Sequence, residues 1–371
     1  MIVFVFGTTG ELIKLAPVMR RLEDAGEHCF CISTHQQASQ ILPLCEELGL
    51  RPPDLVLWGG FRGSDLSKNW EIPFWLALLT ARFLRHLPQL FALVRGQVTR
   101  GLLVVHGDTM TTVVGAVMGR LLHLPVAHIE AGLRSHDWRH PFPEELNRRI
   151  VARIADVHYA PSAAAVDNLA RARGEVLSTG ANTVRDSLDL VPDTPPFEDE
   201  RYDRLTDVPF GLVSIHRFEL LANEERLRGL LEVLREEADR IPLLFIDHPV
   251  TAAKLESLGL TRFFDEDRFV RVPRLPYGRF VNLLRRSSFL VTDSGGSQEE
   301  CSYLNHPCLV HRLATERDEG LGTNVVLSRF DLSAVRRFLD DPDRYRSPNP
   351  VGDASPSDCI VADIRRRIRR A

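Results

Sequence analysis

From His128 to Arg148 the chain concentrates groups that exchange protons and groups that hold anions. His128-Ile-Glu-Ala-Gly-Leu-Arg134 closes the apolar run Pro125-Val-Ala-His-Ile129, and His140-Pro-Phe-Pro-Glu-Glu-Leu-Asn-Arg148 leads into a helix. Glu130 stands where the apolar run stops and Gly132 permits a turn. In a parallel sheet such a strand end is where ligands bind. Glu144 and Glu145 follow Pro143, so they fall in a first helical turn, where the helix dipole favours carboxylates. Arg148 lies four residues after Glu144, on the same helical face. A fold can need one charge at a strand end; so many acids and arginines in one short stretch point to proton transfer beside an anionic group.

Four further constellations follow apolar runs. Phe6-Gly-Thr-Thr-Gly10 leaves one run and enters a helix carrying Lys14; it reads as a phosphate-binding turn or simply a tight turn. His106-Gly-Asp108-Thr offers a carboxylate that either caps the next helix or orients a catalytic neighbour. His216-Arg217 ends another run, as a structural pair or as diphosphate ligands. Thr292-Asp-Ser294-Gly295-Gly296-Ser-Gln-Glu299-Glu300 is the strongest phosphate signal, because backbone N–H groups and a hydroxyl converge at a helix start. There Glu299 or Glu300 either serves the helix dipole or accepts from ribose hydroxyls. Thr315-Glu-Arg317 adds a cation after a last run, for a loop salt bridge or for the ligand.

These positions demand a particular scaffold. Strands are expected at Ile2–Phe6, His28–Ser33, Gly101–His106, Val126–Glu130 and Val157–Ala160, with helices near Glu11–Ala25, Phe74–Val98, Thr111–Leu122, Glu144–Ile154 and Ala163–Ala172. A second series of strands is expected near Phe210–Ile215, Leu243–Ile246, Phe269–Val272, Phe289–Thr292 and Cys308–His311. Such βα alternation specifies an α/β protein with two Rossmann-like parallel-sheet domains. The Pro- and Asp-rich stretch 180–201 separates them. The expected domains are 1–182, 183–355 and a terminal helix over 356–371 packing back on the first, with the ligand in the cleft between the domains. The arginine-rich outer face of that helix leaves a nucleic-acid arm as the lesser reading.

Composition narrows the function classes. The chain has 371 residues, a 44% hydrophobic fraction and a net charge of -4, which describes a globular protein and argues against nucleic acid as partner. Lys14, Lys68 and Lys254 are the only lysines, which singles out Lys14. Six cysteines without CxxC spacing read as buried free thiols in a reducing compartment. No cationic leader precedes the first strand, and the most apolar window, Phe74 to Val94, carries Arg82, Arg85, His86 and Pro88. A cytoplasmic protein without a membrane span is therefore expected.

Taken in order, Gly-Asp108-Thr, His-Ile-Glu130-Ala-Gly-Leu-Arg134, Pro-Glu144-Glu-Leu-Asn-Arg148, His216-Arg217, Asp293-Ser-Gly-Gly-Ser-Gln-Glu-Glu300 and Thr-Glu-Arg317 resemble the UDP-N-acetylglucosamine 2-epimerases. The resemblance runs over nearly the whole length and implies the two-domain GT-B architecture. It implies an isomerase that eliminates UDP to a 2-acetamidoglucal and adds it back, with Asp108, Glu130 and Glu144 as acid/base candidates beside His216. It further implies that Lys14, Arg148, His216, Ser294, Gly295, Gly296 and Arg317 hold the nucleotide diphosphate and Glu300 the ribose. No metal or redox cofactor is implied; a UDP-sugar substrate and a homodimer are.

The chain also departs from the family pattern. The family's first loop usually reads Gly-Thr-Arg-Pro-Glu, whereas here it is Gly7-Thr-Thr9-Gly10-Glu11. Ser33-Thr-His-Gln-Gln-Ala38 replaces Thr-Gly-Gln-His-Arg-Glu in a region that forms a regulatory site in bacterial members. Phe218 and Asp318 replace a usual arginine and proline. The catalytic set is kept while its periphery drifts, which leaves a different sugar or nucleotide open. The rival readings are a hydrolysing epimerase releasing N-acetylmannosamine and UDP, a GT-B glycosyltransferase, and a non-catalytic nucleotide-sugar sensor.

Overall fold

Short apolar runs become buried strands, and the amphipathic stretches between them become helices, in a computed structural model that describes residues 1–57, 72–95, 101–135, 143–347 and 354–369. The chain divides into two compact units, Met1–Leu190 with Ala354–Ala371, and Val191–Asp353. The first contains β1 (Ile2–Phe6), α1 (Thr9–Asp24), β2 (Cys29–Ser33), α2 (Ala38–Glu47), β3 (Leu55–Val56), α3 (Ile72–Arg95) and β4 (Leu102–His106). It continues with α4 (Met110–Leu121), β5 (Val126–Ile129), α5 (Glu144–Ile154), β6 (Val157–Ala160), α6 (Ala163–Asn168), β7 (Glu175–Ser178) and α7 (Val184–Leu188).

The seven strands lie in the order β3-β2-β1-β4-β5-β6-β7, all parallel. Every residue of β1, β4, β5 and β6 is buried, as a sheet covered on both faces requires. The order reverses between β1 and β4, so the turns that leave these two strands flank the topological switch point. The expected helix over Ala163–Ala172 stops at Asn168, because Leu169, Ala170 and Ala172 donate to carbonyls three residues back and tighten the chain into turns.

The second unit contains α8 (Glu200–Asp203), β8 (Gly211–Ser214), α9 (Phe218–Leu221), α10 (Glu224–Ala238), β9 (Leu243–Asp247), α11 (Pro249–Ser257) and β10 (Phe269–Pro273). It ends with α12 (Tyr277–Arg286), β11 (Phe289–Thr292), α13 (Gly295–Tyr303), β12 (Cys308–Val310), β13 (Val325–Leu327) and α14 (Leu332–Asp340). Its six parallel strands run β10-β9-β8-β11-β12-β13, with the switch point between β8 and β11. Both sheets are those of the expected α/β class.

The chain returns to the first unit as α15 (Pro356–Arg369). Ile360, Val361, Ile364 and Ile368 are buried, and Tyr159 of β6 donates to Asp363 at 2.9 Å. The outer arginines pair internally: Arg365 and Arg369 with Glu27, and Arg367 with Glu175 and Asp363. These side chains are thus engaged with carboxylates of their own unit. The segment after 182 also stays in this unit, since Ser187 Oγ bonds the Ile13 carbonyl at 2.7 Å.

All six cysteines are free, and five are buried; Cys359, expected inside, is exposed on α15. Burial pushes the Cys29 thiol up to about 12 and that of Cys45 to about 11, so neither is a ready nucleophile. Among the described residues no helix is long and apolar enough to cross a membrane.

Candidate active site

At the first switch point the turn after β1 is drawn tight. A Cβ on Gly7 would come within 2.0 Å of Thr34 Oγ1, so only glycine fits. Thr8 caps α1 and Glu11 completes a capping box. The Glu11 carboxylate accepts the Gly7 N–H at 2.8 Å, the Thr8 N–H at 2.9 Å and, from the turn after β4, the Thr109 hydroxyl at 2.6 Å. Burial pushes this carboxyl up, against the hydrogen bonds from Thr109, Gly7 and Thr8. The Thr9 N–H goes to Gln37 Oε1 at 2.8 Å. The N–H groups expected to cradle phosphate here are therefore engaged by Glu11 and Gln37, and the tight-turn reading of Phe6–Gly10 is the one this geometry fits.

One turn along α1, Lys14 is buried and its ammonium pairs with Glu130, to which Asn182 also donates. Nε2 of His106 lies 4.0 Å from the same carboxylate oxygen. Glu130 holds a left-handed backbone, φ +61°, which costs a non-glycine residue roughly 1–2 kcal/mol. The turn that imposes it is fixed by Gly132 (φ +90°), where a Cβ would stand 2.2 Å from the Ala165 carbonyl oxygen. A strained carboxylate that is also buried and paired with a lysine is a mark of a functional site.

Gly107 lies over this group: a Cβ there would be 3.5 Å from Glu130 Oε1. The Gly107 carbonyl accepts a 2.7 Å hydrogen bond from His128 Nε2, which fixes that tautomer. Burial pushes His128 down to about 3, so its ring is neutral. Asp108 does not cap α4, because Thr109 does so through its hydroxyl. The Asp108 carboxylate instead accepts Arg148 Nε at 2.9 Å, and its carbonyl accepts Asn147 Nδ2 at 2.8 Å. Glu144 sits half-buried in the first turn of α5, while its neighbour Glu145 is fully buried. His140, Pro141 and Phe142 lie outside the described residues.

The second unit repeats the device. Asp293, buried after β11, accepts the His216 N–H at 3.0 Å and the Arg217 N–H at 2.8 Å, joining the turns after β8 and β11. Burial pushes its carboxyl up, against those two N–H bonds and the charges of Arg217 and Arg312. The His216 ring stacks on His248 at 4.5 Å between centroids. Burial, with Arg217 and Arg274 nearby, pushes His216 down to about 4, so near neutral pH it presents an imidazole rather than a cation. Ser294 caps α13, its hydroxyl accepting the Ser297 N–H. Arg317 lies over Gly295, where a Cβ would be 3.1 Å from Arg317 Nε, and pairs with fully buried Glu299. Gln298 holds the Arg317 and Glu319 carbonyls at 3.0 and 3.2 Å. Glu300, one residue on, is buried as well.

The expected residues thus gather in two groups. Lys14, Asp108, Glu130, Glu144 and Arg148 belong to the first unit; His216, Ser294, Gly295, Gly296, Glu300 and Arg317 belong to the second. Sequence reasoning missed Glu11, Asn182 and Gln298, and it read Glu145 and Glu299 without their partners. Only the Ser/Thr-x-x-Glu pattern at Thr8–Glu11 advertised one of these beforehand.

The family model for UDP-N-acetylglucosamine 2-epimerase matches residues 76–361. The UDP-N-acetylglucosamine 2-epimerase of Yersinia pestis is 32% identical, over 94% of this chain and 94% of its own length. That of Bacillus subtilis is 30% identical, over 97% and 93%. The structure of the Methanocaldococcus jannaschii enzyme in complex with UDP-GlcNAc and UDP superimposes with a TM-score of 0.76 at 27% identity, covering 98% of this chain and 99% of that one. Motifs, fold and relatives agree over nearly the whole length: the chain belongs to the UDP-N-acetylglucosamine 2-epimerase family.

Proposed function

We propose that this protein interconverts UDP-N-acetylglucosamine and UDP-N-acetylmannosamine. The observation that carries the reading is that Glu130, buried and paired with Lys14 of α1, and Asp108, paired with Arg148 of α5, stand on the adjoining turns after β5 and β4. Carbon 2 of the sugar has no neighbouring carbonyl, so its proton cannot be removed to give a stabilised enolate. Elimination avoids the difficulty. A carboxylate takes the carbon 2 proton, the C–H pair becomes the C1–C2 double bond, and the anomeric C–O pair leaves with UDP. The unsaturated sugar is then protonated at carbon 2 from the opposite face, and a UDP oxygen re-forms the bond to carbon 1.

Such a cycle needs carboxylates that exchange protons and a cradle for the departing diphosphate. Asp108, Glu130 and Glu144 take the first role. From the second unit His216, Ser294, Gly295, Gly296 and Arg317 take the second, with Glu300 on the ribose; from the first unit Lys14 and Arg148 are assigned to the nucleotide as well. Thr9 and Gly10, standing where the family carries arginine and proline, mark where the substrate contacts differ. We further propose a cytoplasmic homodimer, for which the exposed Val117 and Leu121 on α4 and Leu146 on α5 offer apolar surface; sedimentation at twice the chain mass is expected.

Incubation with UDP-N-acetylglucosamine in deuterated water tests the reaction. The expected result is a mixture of two UDP-sugars carrying deuterium at carbon 2. Accumulating UDP with free N-acetylmannosamine would assign the hydrolysing reaction instead. Sugar transfer without deuterium at carbon 2 would replace epimerisation by glycosyl transfer.

A further inference from the structure

The geometry points to Glu145 as a positioning residue that orients Arg148 for its contact with Asp108. The inference rests on the assignment of Asp108 to proton transfer. A glutamate that merely served the dipole of α5 would lie at the surface, as first-turn carboxylates commonly do. Glu145 does not: its side chain is 0% exposed. Its oxygens receive the Ser135 N–H at 3.1 Å and Arg149 Nε at 2.9 Å, with Arg148 Nη1 at 3.5 Å and Arg134 Nε at 3.9 Å.

Of these partners Arg148 is the one that also reaches Asp108. It turns Nη1 toward Glu145, and Nε and Nη2 toward Asp108. A guanidinium is a rigid planar fork, so the attraction of a buried carboxylate for one nitrogen, here an ion pair at 3.5 Å, biases the direction of the other two. Arg148 has a side chain only 4% exposed, where water cannot take over that task. Among the described residues, the charged groups facing this cluster are Arg134 after β5, Arg148 and Arg149 on α5 itself, and Asp108 after β4; His158 of β6 stands near Arg134. Although burial alone would push the Glu145 carboxyl up, the Ser135 N–H with Arg149, Arg134 and Arg148 holds it below the ordinary range. It is therefore an anion throughout the neutral range and keeps its hold on Arg148.

The test reads the Arg148 Nε–H directly, by arginine-selective nitrogen-15 NMR of the full chain, beside turnover. In the wild type this N–H is protected from solvent exchange by its bond to Asp108. In Glu145→Gln the exchange is expected to quicken and kcat to fall by about 10²-fold, the usual effect of a misplaced catalytic group, with KM little changed. Glu145→Asp, which keeps the charge and is the milder change should Glu145→Gln not fold, moves the exchange in the same direction by less. Arg149→Gln, at a half-exposed position, leaves Arg148 exchange as in the wild type. Wild-type exchange at Arg148 in the Glu145 variants overturns the inference. A wild-type protein that epimerises nothing overturns the reaction assigned above, while the exchange measurement still decides whether Glu145 holds Arg148.

Discussion

Lys14→Met and Glu130→Gln, alone and together, should separate folding from chemistry in the first unit. The Lys14 and Glu130 side chains are 9% and 4% exposed, so each depends on the other for its charge. Removing one partner of a buried pair strands the other and costs about 3–5 kcal/mol. Each single variant should therefore lose about that much in urea unfolding. The double variant leaves no stranded charge: the methionine side chain fills the space of the lysine stem with apolar bulk, and the new amide keeps a carbonyl oxygen for Asn182. It should be more stable than either single variant, with a coupling of about 3 kcal/mol or more. None of the three should place deuterium at carbon 2 at an appreciable rate. Two results would refute the reasoning. If the single costs simply add, within about 0.5 kcal/mol, the two groups are not a pair. If Lys14→Met raises KM but leaves kcat and stability alone, Lys14 is a nucleotide ligand only and its pairing with Glu130 is incidental.

Acid should destabilise the protein well above the carboxylate range. Burial holds His128 at about 3 and His306 and His311 at about 4, against 6.5 when exposed, so the full stability they permit is present above pH 6.5 and is lost as pH falls toward 4. At pH 5 each costs about 2 kcal/mol, roughly 6 kcal/mol together, partly offset by Glu11 and Asp293, whose raised carboxyls favour the fold as they take up protons; a melting temperature flat between pH 7.5 and 5 would contradict this. Gly132→Ala places a methyl 2.2 Å from the Ala165 carbonyl oxygen at φ +90°, so the turn must shift and carry Glu130 with it. Turnover should drop by about 10²-fold while calorimetric binding of UDP persists; unchanged turnover would show that this turn does not set the position of Glu130.

The central strands were legible because burial on both faces writes an uninterrupted apolar run, as in Ile2–Phe6 and Phe289–Thr292. The strands not anticipated, β3, β7 and β13, are all at sheet edges and two to four residues long. An edge strand has one partner and wetter faces, so Glu175-Val-Leu-Ser178 carries little of that pattern. The site was legible by position but not by partnership. Strand ends named Asp108, Glu130 and His216. Nothing in one dimension says that Lys14 meets Glu130 across 116 positions, or that Glu145 rather than Glu144 is the carboxylate sealed among arginines.

The two switch points use one device to different ends. In each, a buried carboxylate joins the turns after the two strands that flank the reversal: Glu11 between β1 and β4, Asp293 between β8 and β11. Upturned N–H groups at such turns would otherwise attract an anion from solution. Glu11 takes the N–H groups of Gly7 and Thr8, so the first unit has already filled its anion site with its own side chain and turns Lys14 toward Glu130. Asp293 takes only the N–H groups of His216 and Arg217. The start of α13, with Ser294, Gly295 and Gly296, keeps its dipole beside Arg317. The first unit thus spends the N–H groups of its turn on Glu11, while the second keeps a helix start with two glycines against Arg317. Under the proposed elimination Glu130 and Asp108 of the first unit would supply a proton exchange for which a glycosyltransferase has no use.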